Sequence, residues 1–283
     1  MIRVLSLGAG VQSSTLALMS ACGEVPMLDA AIFADTQAEP PSVYRWLDYL
    51  EQQLPFPIHR ITAGDLAADV LKTRITKDGR RYCRTNLPFY TVDNNTGERG
   101  MVRMRSCTKD FKIRPIEKKI RDLIGRDIVR KWWIDRRKNQ DVSPLMVQWI
   151  GISFDEVQRM KPARPPFIQT EWPLIDLRMT RRKCIDWMQS HGHPKPPRSA
   201  CIFCPFHSNE EWRRLRDEEA VQFEKAVQFE KAVQFEKAAS VNFVSTPYLH
   251  KSCKPLDQVD LRTDEERGQY QLWNNECEGM CGV

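Results

Sequence analysis

The sequence lacks several features that would have assigned it quickly to a class of protein. Its apolar stretches are much shorter than the roughly 20 residues of a membrane-spanning helix. The N-terminus enters a predicted strand directly, without a secretory signal. There is neither the Gly-Lys-Ser/Thr of a Walker A loop nor the third glycine of a dinucleotide-binding fingerprint. We therefore expect a cytoplasmic protein that does not contact a membrane, and these two familiar phosphate loops are excluded.

The cysteine content argues against a disulfide framework. Nine cysteines, an odd number, occur in 283 residues, which favours metal binding or thiol chemistry. With 41% hydrophobic and 28% charged residues, the composition is typical of a globular domain. A net charge of +6 is compatible with nucleic acid or nucleotides, although a solvated basic surface is the favoured interpretation.

The first twenty residues predict a strand, a small-residue loop and a helix. Ile2 to Leu7 is an apolar strand, Gly8 to Ser14 is the loop, and Thr15 to Ala21 is the helix. This order aims backbone N–H groups and the positive end of a helix at one point, which suits a phosphate or sulfate. A purely structural turn is the alternative interpretation.

A second strand and a third follow, which predicts an α/β fold with a doubly wound, mostly parallel sheet. Asp29 to Ala34 is apolar and ends on Asp35 and Thr36, and Pro57 to Ile61 forms the next strand. Ligands bind at the carboxyl ends of strands in such sheets. Asp35 and Thr36 are therefore expected beside the loop of residues 8–14.

The most specific motif is a Cys-x-x-Cys segment. Cys201 and Cys204 are separated by two residues and followed by Pro205, and Cys107 lies about ninety residues upstream. Such a bend brings two thiolates to one metal or cluster. We interpret it as an iron–sulfur site, with a redox dithiol and a structural zinc site as alternatives.

The C-terminal region contains a repeat. The hexapeptide Ala-Val-Gln-Phe-Glu-Lys occurs three times in residues 220–237. Six residues turn a helix by a net angle of about 240°, so its phenylalanines cannot share one face. We predict one long, partly exposed helix, and a polar flap over residues 73–105. The predicted domains are a nucleotide-binding α/β domain, 1–207, and a helical extension, 208–283, with a cysteine-containing tail.

The loop resembles that of the PP-loop superfamily, the adenine nucleotide alpha hydrolases. Their Ser-Gly-Gly-x-Asp-Ser-Ser/Thr sequence is matched at Gly10, Ser13 and Ser14, and Gln12 stands in place of the Asp. The strand-terminal Asp35-Thr36 is similar to the corresponding motif of phosphoadenosine phosphosulfate (PAPS) reductases. The order of the motifs along the chain resembles that of the PAPS reductase family. The short variants at residues 8–13 and 276–281 resemble a phage-associated branch of it.

Two further segments carry the same resemblance. PAPS reductases have a Cys followed by Lys and Pro, as at Cys107, Lys112 and Pro115. Their Gly-x-Arg-x-x-Glu-x-x-Arg segment is similar to residues 151–159, with Ser153 in place of the first Arg. The tail resembles their Glu-Cys-Gly segment, which delivers a nucleophilic cysteine, at residues 276–279.

The resemblance implies roles for individual residues. The nucleotide-binding residues would be Ser6, Gly8, Ala9, Gly10, Val11, Gln12, Ser13, Ser14, Asp35, Thr36, Gly151, Glu156 and Arg159. The catalytic residues would be Lys112, Cys277 and Cys281. The metal ligands would be Cys107, Cys201 and Cys204, with Cys184, Cys277, Cys281 or an open iron as the fourth position.

The resemblance also implies an activity, with alternatives. The first is sulfonucleotide reduction, which releases sulfite and an adenosine phosphate and uses a thioredoxin-like reductant. The cofactor would be a 4Fe-4S cluster, or zinc in its place. The second is ATP- and magnesium-dependent adenylation and thiolation of tRNA or DNA. The third is a nucleotide-sensing or DNA-associated module without catalysis. A homodimer is compatible with each.

Overall fold

The computed structural model describes residues 1–83, 87–102, 106–138, 140–240, 244–262 and 266. Its strands are β1 (Ile2–Ser6), β2 (Ala30–Asp35), β3 (Ile58–Thr62), β4 (Thr73–Ile75), β5 (Arg81–Cys83), β6 (Tyr90–Asp93), β7 (Arg99–Met101), β8 (Met146–Ile150), β9 (Ile168–Glu171) and β10 (Ser245–Tyr248). Its helices are α1 (Val11–Ala21), α2 (Pro41–Gln53), α3 (Leu66–Leu71), α4 (Ser106–Thr108), α5 (Arg114–Ile124), α6 (Arg126–Arg137), α7 (Pro173–Asp176), α8 (Arg181–Ser190), α9 (Asn209–Glu218) and α10 (Ala220–Ala238). A π-helical turn, Lys109–Ile113, joins α4 to α5, and two 3-10 helices are Phe154–Arg159 and Leu256–Gln258.

Five parallel strands form the central sheet in the order β3-β2-β1-β8-β9. The chain moves outward from β1 through β2 to β3, and then crosses to the other side of β1 to place β8 and β9. The strand order therefore reverses between β1 and β8, and ligands of open α/β sheets bind at the carboxyl ends of strands at such a point. The predicted α/β class and parallel sheet are confirmed.

Helices cover both faces of this sheet because its buried strands are apolar on both sides. On one face, Leu5 and Phe33 pack with residues of α1, α2 and α8, including Leu16 and Leu47. On the other face, Val4 and neighbouring strand residues pack with α5 and α6. The sheet is therefore doubly wound, as the sequence predicted.

A further hydrophobic cluster, called the second cluster below, lies around the Cys-x-x-Cys segment and is separate from the packing on the two faces of the central sheet. It combines Ala38 and Phe89 with Cys201, Trp212 and Phe229, together with other residues of α3 and α10. Its members come from both sides of residue 207, which is the domain boundary predicted from sequence. That boundary stays a prediction.

The hexapeptide repeat forms a single helix, α10, as expected. Phe229 is buried, whereas Phe235 is 76% exposed, which confirms that the repeated phenylalanines do not share a face. The middle repeat contributes most to the core: the carboxylate of Glu230 accepts hydrogen bonds from the backbone N–H groups of Leu249 and Leu256, each at 2.7 Å. The helix is thus integrated into the second cluster.

Residues 73–102 contain more regular structure than the predicted flap. The strands β4 and β5 form a hairpin, and β6 pairs with both β7 and β10 in an antiparallel sheet. β10 lies about 150 residues away from β6, so this pairing cannot be recognised from local sequence. The role of this segment as a flap over a nucleotide stays a prediction. Within the described ranges, no helix combines the length and apolar character needed to cross a membrane.

Candidate functional site

The loop between β1 and α1 ends the strand with an unusual backbone turn. Ala9 adopts a φ of 57°, a left-handed conformation that is uncommon for a residue with a side chain. Gly10 is extended and precedes the first residue of α1, and within the described residues no side chain caps the helix from that position. The first amides of a helix have no acceptors within it. That these amides bind an anion stays a prediction.

Ser13 closes the loop from within. Its Oγ accepts a hydrogen bond from the N–H of Gly8 at 3.2 Å and contacts the carbonyl oxygen of Gly10 at 3.4 Å. These contacts tie the first turn of α1 back to the end of β1. The Ser13 side chain, which belongs to the loop itself, therefore fixes the shape of the loop.

Gly151, at the carboxyl end of β8, packs directly against this loop. A Cβ atom added at Gly151 would lie 2.7 Å from the Cα and 2.8 Å from the N of Ser13, much closer than two such atoms can approach. Only glycine fits there. The predicted site residues Gly151 and Ser13 are thus brought together at the point where the strand order reverses.

A polar network extends from this contact. The Nε2 of Gln12 donates to Glu156 Oε2 at 3.2 Å and to Ser153 Oγ at 3.4 Å, and its Oε1 accepts from Arg181 at 3.2 Å. Arg159 donates to the other oxygen of Glu156 at 2.7 Å. The predicted residues Gln12, Glu156 and Arg159 therefore share one network.

Gln12 and Ser153, two of the positions at which the sequence departs from the patterns that it resembles, contact each other. Both side chains are neutral, so this contact is a hydrogen bond without charge. Arg181, from the start of α8, was not predicted, because its distance of 169 residues from Gln12 hides the contact in the sequence.

Four other residues predicted in this region have side chains that contact other parts of the protein. Ser14 is fully buried, and its Oγ accepts a hydrogen bond from the indole N–H of Trp46 at 2.9 Å. Ala9 and Val11 belong to the hydrophobic cluster on this face of the sheet. Ser6 accepts from Gln148 at 2.7 Å. Their side chains hold the loop on the sheet, so any contact with a ligand would come from their backbone.

The carboxyl end of β2 forms a second edge of the site. Asp35 Oδ1 accepts from the Tyr44 hydroxyl at 2.8 Å and from the N–H of Gln37 at 2.7 Å. Burial, followed by the hydrogen bond to Asp35, raises the pKa of Tyr44 above its usual value. Tyr44 is therefore a neutral donor that fixes the orientation of the carboxylate.

Thr36 connects this edge to the Cys-x-x-Cys segment. Its Oγ1 lies 3.2 Å from the Sγ of Cys201, and both residues are buried. A backbone hydrogen bond from Ile202 to the carbonyl of Ala38, at 2.8 Å, runs beside this contact. The thiol motif, 165 residues away in sequence, is therefore attached to the end of β2.

A buried carboxylate that the sequence analysis missed lies beside this contact. The side chain of Glu39 is 0% exposed; its Oε1 is 3.5 Å from the ammonium of Lys112, and its Oε2 accepts from Ser199 at 3.4 Å. Lys112, a predicted catalytic residue, lies on the π-helical turn, a geometry that often occurs at functional sites. Glu39 lies four residues after the end of β2, and this nearness to a strand end was the available signal.

The three predicted metal ligands belong to one region. Cys201 and Cys204 are buried in one tight turn, closed by the hydrogen bond from the N–H of Cys204 to the carbonyl of Cys201 at 2.9 Å. Half-buried Cys107, on α4, packs against the same hydrophobic cluster. Thiols are the donors that iron–sulfur clusters and zinc prefer.

The described residues do not complete a metal site. Among them, no group of three or more His, Cys, Asp or Glu side chains is arranged to hold an ion. Of the proposed fourth ligands, Cys184 lies in the cluster on the opposite side of the site, against α1 and α2, where burial raises the pKa of its thiol to about 12. Cys277 and Cys281 lie outside the described residues. The cluster stays a prediction.

His207 supports the turn of the cysteine motif. Its Nε2 donates to the carbonyl oxygen of Cys201 at 2.9 Å, because a carbonyl can only accept. Burial lowers the pKa of His207 to about 3, so the imidazole is neutral at physiological pH. Its Nδ1 is buried and has no hydrogen-bond partner within the described part of the chain.

Comparison of the chain with known proteins gives no matching family and no matching curated protein.

Proposed function

We propose that this protein binds an adenine nucleotide and carries out sulfur chemistry on it, as a member of the PAPS reductase family of the PP-loop superfamily. One observation carries the proposal: the Thr36 hydroxyl lies 3.2 Å from the Sγ of Cys201. A thiol motif is thereby attached to the strand end that neighbours the anion loop. This arrangement supports a site that combines nucleotide binding with thiol chemistry.

In this proposal the loop of residues 8–14 binds the phosphate or sulfate of the nucleotide. The backbone amides at the start of α1 donate to its oxygens, and the helix dipole adds attraction for negative charge. Arg159 and Lys112 provide positive charge on the two sides of the loop. Asp35, held by Tyr44, accepts hydrogen bonds from hydroxyls at the nucleoside end.

The proposed chemistry is reduction of a sulfonucleotide. The thiolate of Cys277 attacks the sulfur atom, the bond from sulfur to the bridging phosphate oxygen breaks, and the adenosine phosphate leaves with that oxygen. The product is an S-sulfocysteine. A second thiol, from Cys281 or a thioredoxin-like dithiol, attacks the Cys277 sulfur and forms a disulfide, which releases sulfite. The dithiol reductant supplies the two electrons, and no step passes through a cluster.

The proposal is tested first by nucleotide binding, because binding must precede any chemistry. Calorimetric titration with adenosine 3',5'-bisphosphate is expected to give saturable binding to the wild-type protein. Gly10→Ala should weaken it, because in the described structure a Cβ at Gly10 meets no protein atom within 4 Å and would occupy space in the loop. Absence of binding by the wild type would overturn the proposal.

Turnover is tested with PAPS and reduced thioredoxin, with sulfite as the measured product. Cys277→Ser should abolish sulfite release and retain nucleotide binding. Cys22→Ser, at an exposed cysteine, is the matched control and should retain both. If no sulfite forms and ATP instead yields pyrophosphate only when tRNA or DNA is added, the reaction is nucleic-acid thiolation and the reductase proposal is wrong.

A further inference from the structure

The positive charge of the chain is concentrated in one segment. Residues 109–138 contain twelve Lys and Arg residues and five Asp and Glu residues, a net charge of +7. The complete chain has a net charge of +6. The rest of the chain is therefore close to neutral, and any attraction to a polyanion beyond the nucleotide site must come mainly from this segment.

Helix α6 presents this charge on one face. Val129 and Trp132 are buried against the sheet, which orients the helix. Because successive residues of an α-helix are about 100° apart, the side opposite them carries cations at several turns. The exposed residues of that side include Arg130, Lys131, Arg137 and Lys138. A helix of 12 residues extends about 18 Å.

These cations are not neutralised locally. The ion pairs of this region join Arg114 to Asp110, Arg121 to Glu117 and Arg126 to Asp122. By contrast, no carboxylate of the described residues pairs with the four cations of the outer face, Arg130, Lys131, Arg137 and Lys138. The acidic residues of α6 are exposed Asp127 and half-buried Asp135. The outer face therefore keeps an excess of positive charge.

Two apolar side chains accompany these cations. Ile134 is 43% exposed and Trp133 is 36% exposed. The Trp133 ring packs edge-on against Trp132 and Phe167, so it is rigidly held at the surface. A fixed aromatic ring beside several cations suits a nucleic acid, whose sugars and bases contact such rings and whose phosphates pair with Lys and Arg.

We propose that the outer face of α6 binds the sugar-phosphate backbone of a nucleic acid. Double-stranded DNA carries one negative charge per about 1.7 Å of its length, so the length of α6 corresponds to about ten phosphates. Four unpaired cations spread along one face of a helix therefore match the extended line of phosphates of a nucleic acid better than they match a single small anion. The inference is independent of the nucleotide site, because no residue of this face belongs to that site.

The test measures the salt dependence of binding to a fluorescent duplex of about 20 base pairs, a length that exceeds that of α6. The triple variant Arg130→Gln, Lys131→Gln, Arg137→Gln should lose about a hundredfold in affinity near 0.1 M salt. The slope of log affinity against log salt should become shallower by about 2.7, since each phosphate contact contributes about 0.9. Thermal unfolding verifies that the variant is folded.

A second triple variant provides the matched control. Lys72→Gln, Lys195→Gln and Lys225→Gln remove the same charge from exposed positions elsewhere, and both the affinity and the slope should stay close to the wild type. An equal loss in the two variants would overturn the proposal, because binding would then depend only on total charge. The titrations are carried out with a DNA duplex and with an RNA duplex, and the difference in affinity identifies the kind of nucleic acid that is bound.

Anionic vesicles address the other polyanion that a basic, aromatic surface could bind. Vesicles of phosphatidylserine and phosphatidylcholine are added in a sedimentation assay. If the protein binds vesicles with the same dependence on the three cations and neither duplex binds, the proposal is wrong. Failure of nucleotide binding at the loop would leave the duplex result unchanged, so the two proposals are tested separately.

Discussion

The two edges of the candidate site handle charge in different ways. At the β1/β8 edge, the loop offers backbone amides, and the side chains around Gln12 form a half-buried network of hydrogen bonds. At the β2 edge, a fully buried carboxylate, Glu39, faces an ammonium and a hydroxyl beside a thiol. The first edge is built from backbone geometry, and the second from buried side-chain charge.

This difference predicts which changes each edge tolerates. A backbone-built edge is sensitive to added volume, because its atoms are already in contact. An edge built on buried charge is sensitive to removal of one partner, because the remaining charge has lost its compensation. The comparison is therefore tested with two kinds of substitution. One adds a methyl group at the β1/β8 edge, and the other removes a charge at the β2 edge.

The largest effect is expected at Glu39. Glu39→Ala removes the buried carboxylate that Lys112 and Ser199 contact, and we expect a loss of about 3 kcal/mol in the free energy of unfolding. This figure is at the lower end of the usual range because the Lys112 side chain retains 17% exposure. Urea denaturation measures it. Glu39→Gln keeps a hydrogen-bond acceptor, so it should lose less stability than Glu39→Ala. If both variants are as stable as the wild type, the β2 edge does not depend on buried charge.

The next effect is expected at Gly151. Gly151→Ala places a Cβ 2.7 Å from the Cα of Ser13, which forces α1 or β8 to shift, and we expect a loss of about 2 kcal/mol. Gly10→Ala is the matched control at the same edge, since its Cβ would meet no atom of the described structure within 4 Å. Its stability should change by about 0.5 kcal/mol or less. If the two alanines have the same effect on unfolding, close packing does not define this edge.

A smaller effect is expected at Thr36. Thr36→Val keeps the shape of the side chain and removes the hydroxyl that contacts Cys201. We expect a loss of about 1 kcal/mol, the usual net value of one hydrogen bond. The measurement is chemical denaturation, and Thr15→Val, at a second buried threonine on α1, is measured for comparison. A gain in stability for Thr36→Val would show that the hydroxyl and thiol do not support each other.

The smallest expected effect concerns Glu230 and the pH dependence of the free energy of unfolding. Glu230 is a buried carboxylate like Glu39, but the hydrogen bonds that it accepts come from backbone N–H groups and not from a lysine. Burial raises its pKa above the usual 4.5, so the folded state takes up a proton at a higher pH than the unfolded state does. Its contribution to stability therefore decreases as pH rises through the folded-state pKa.

Urea denaturation between pH 7 and pH 5 measures this effect. The wild type should gain stability relative to Glu230→Gln as the pH is lowered, because glutamine cannot take up a proton. Glu224→Gln, at the exposed equivalent position of the first repeat, is the control and should follow the wild type. A constant difference between the wild type and Glu230→Gln across this range would exclude a raised pKa.

The sequence predicted the parts of the fold that depend on local patterns. The apolar strands β1 and β2, the loop with its small residues, and the repeat helix each follow from a few consecutive residues. β1 and β2 are neighbouring parallel strands, so Asp35 and Thr36 lie at the strand end next to the one from which the loop begins.

Contacts between distant segments could not be predicted in this way. The pairing of β10 with β6, the contact of Arg181 with Gln12, and the enclosure of Glu39 by Lys112 and Ser199 join segments that are 73 to 169 residues apart. No local pattern records which distant residue will lie opposite a given one. Helix α6 was missed as well, because its many charged residues weaken the apolar periodicity on which sequence prediction depends.

The sequence by itself therefore determined the class of fold, the small-residue loop and the cysteine motif, since each depends on residue types at short spacing. Only the tertiary structure decided that Gly151 must be a glycine, that Glu39 is buried beside Lys112, and that the basic residues of α6 share one exposed face. The physical reason is that burial and close approach are properties of the packed chain. They arise when distant segments exclude water from one another, and the same side chain has a different energy in each environment.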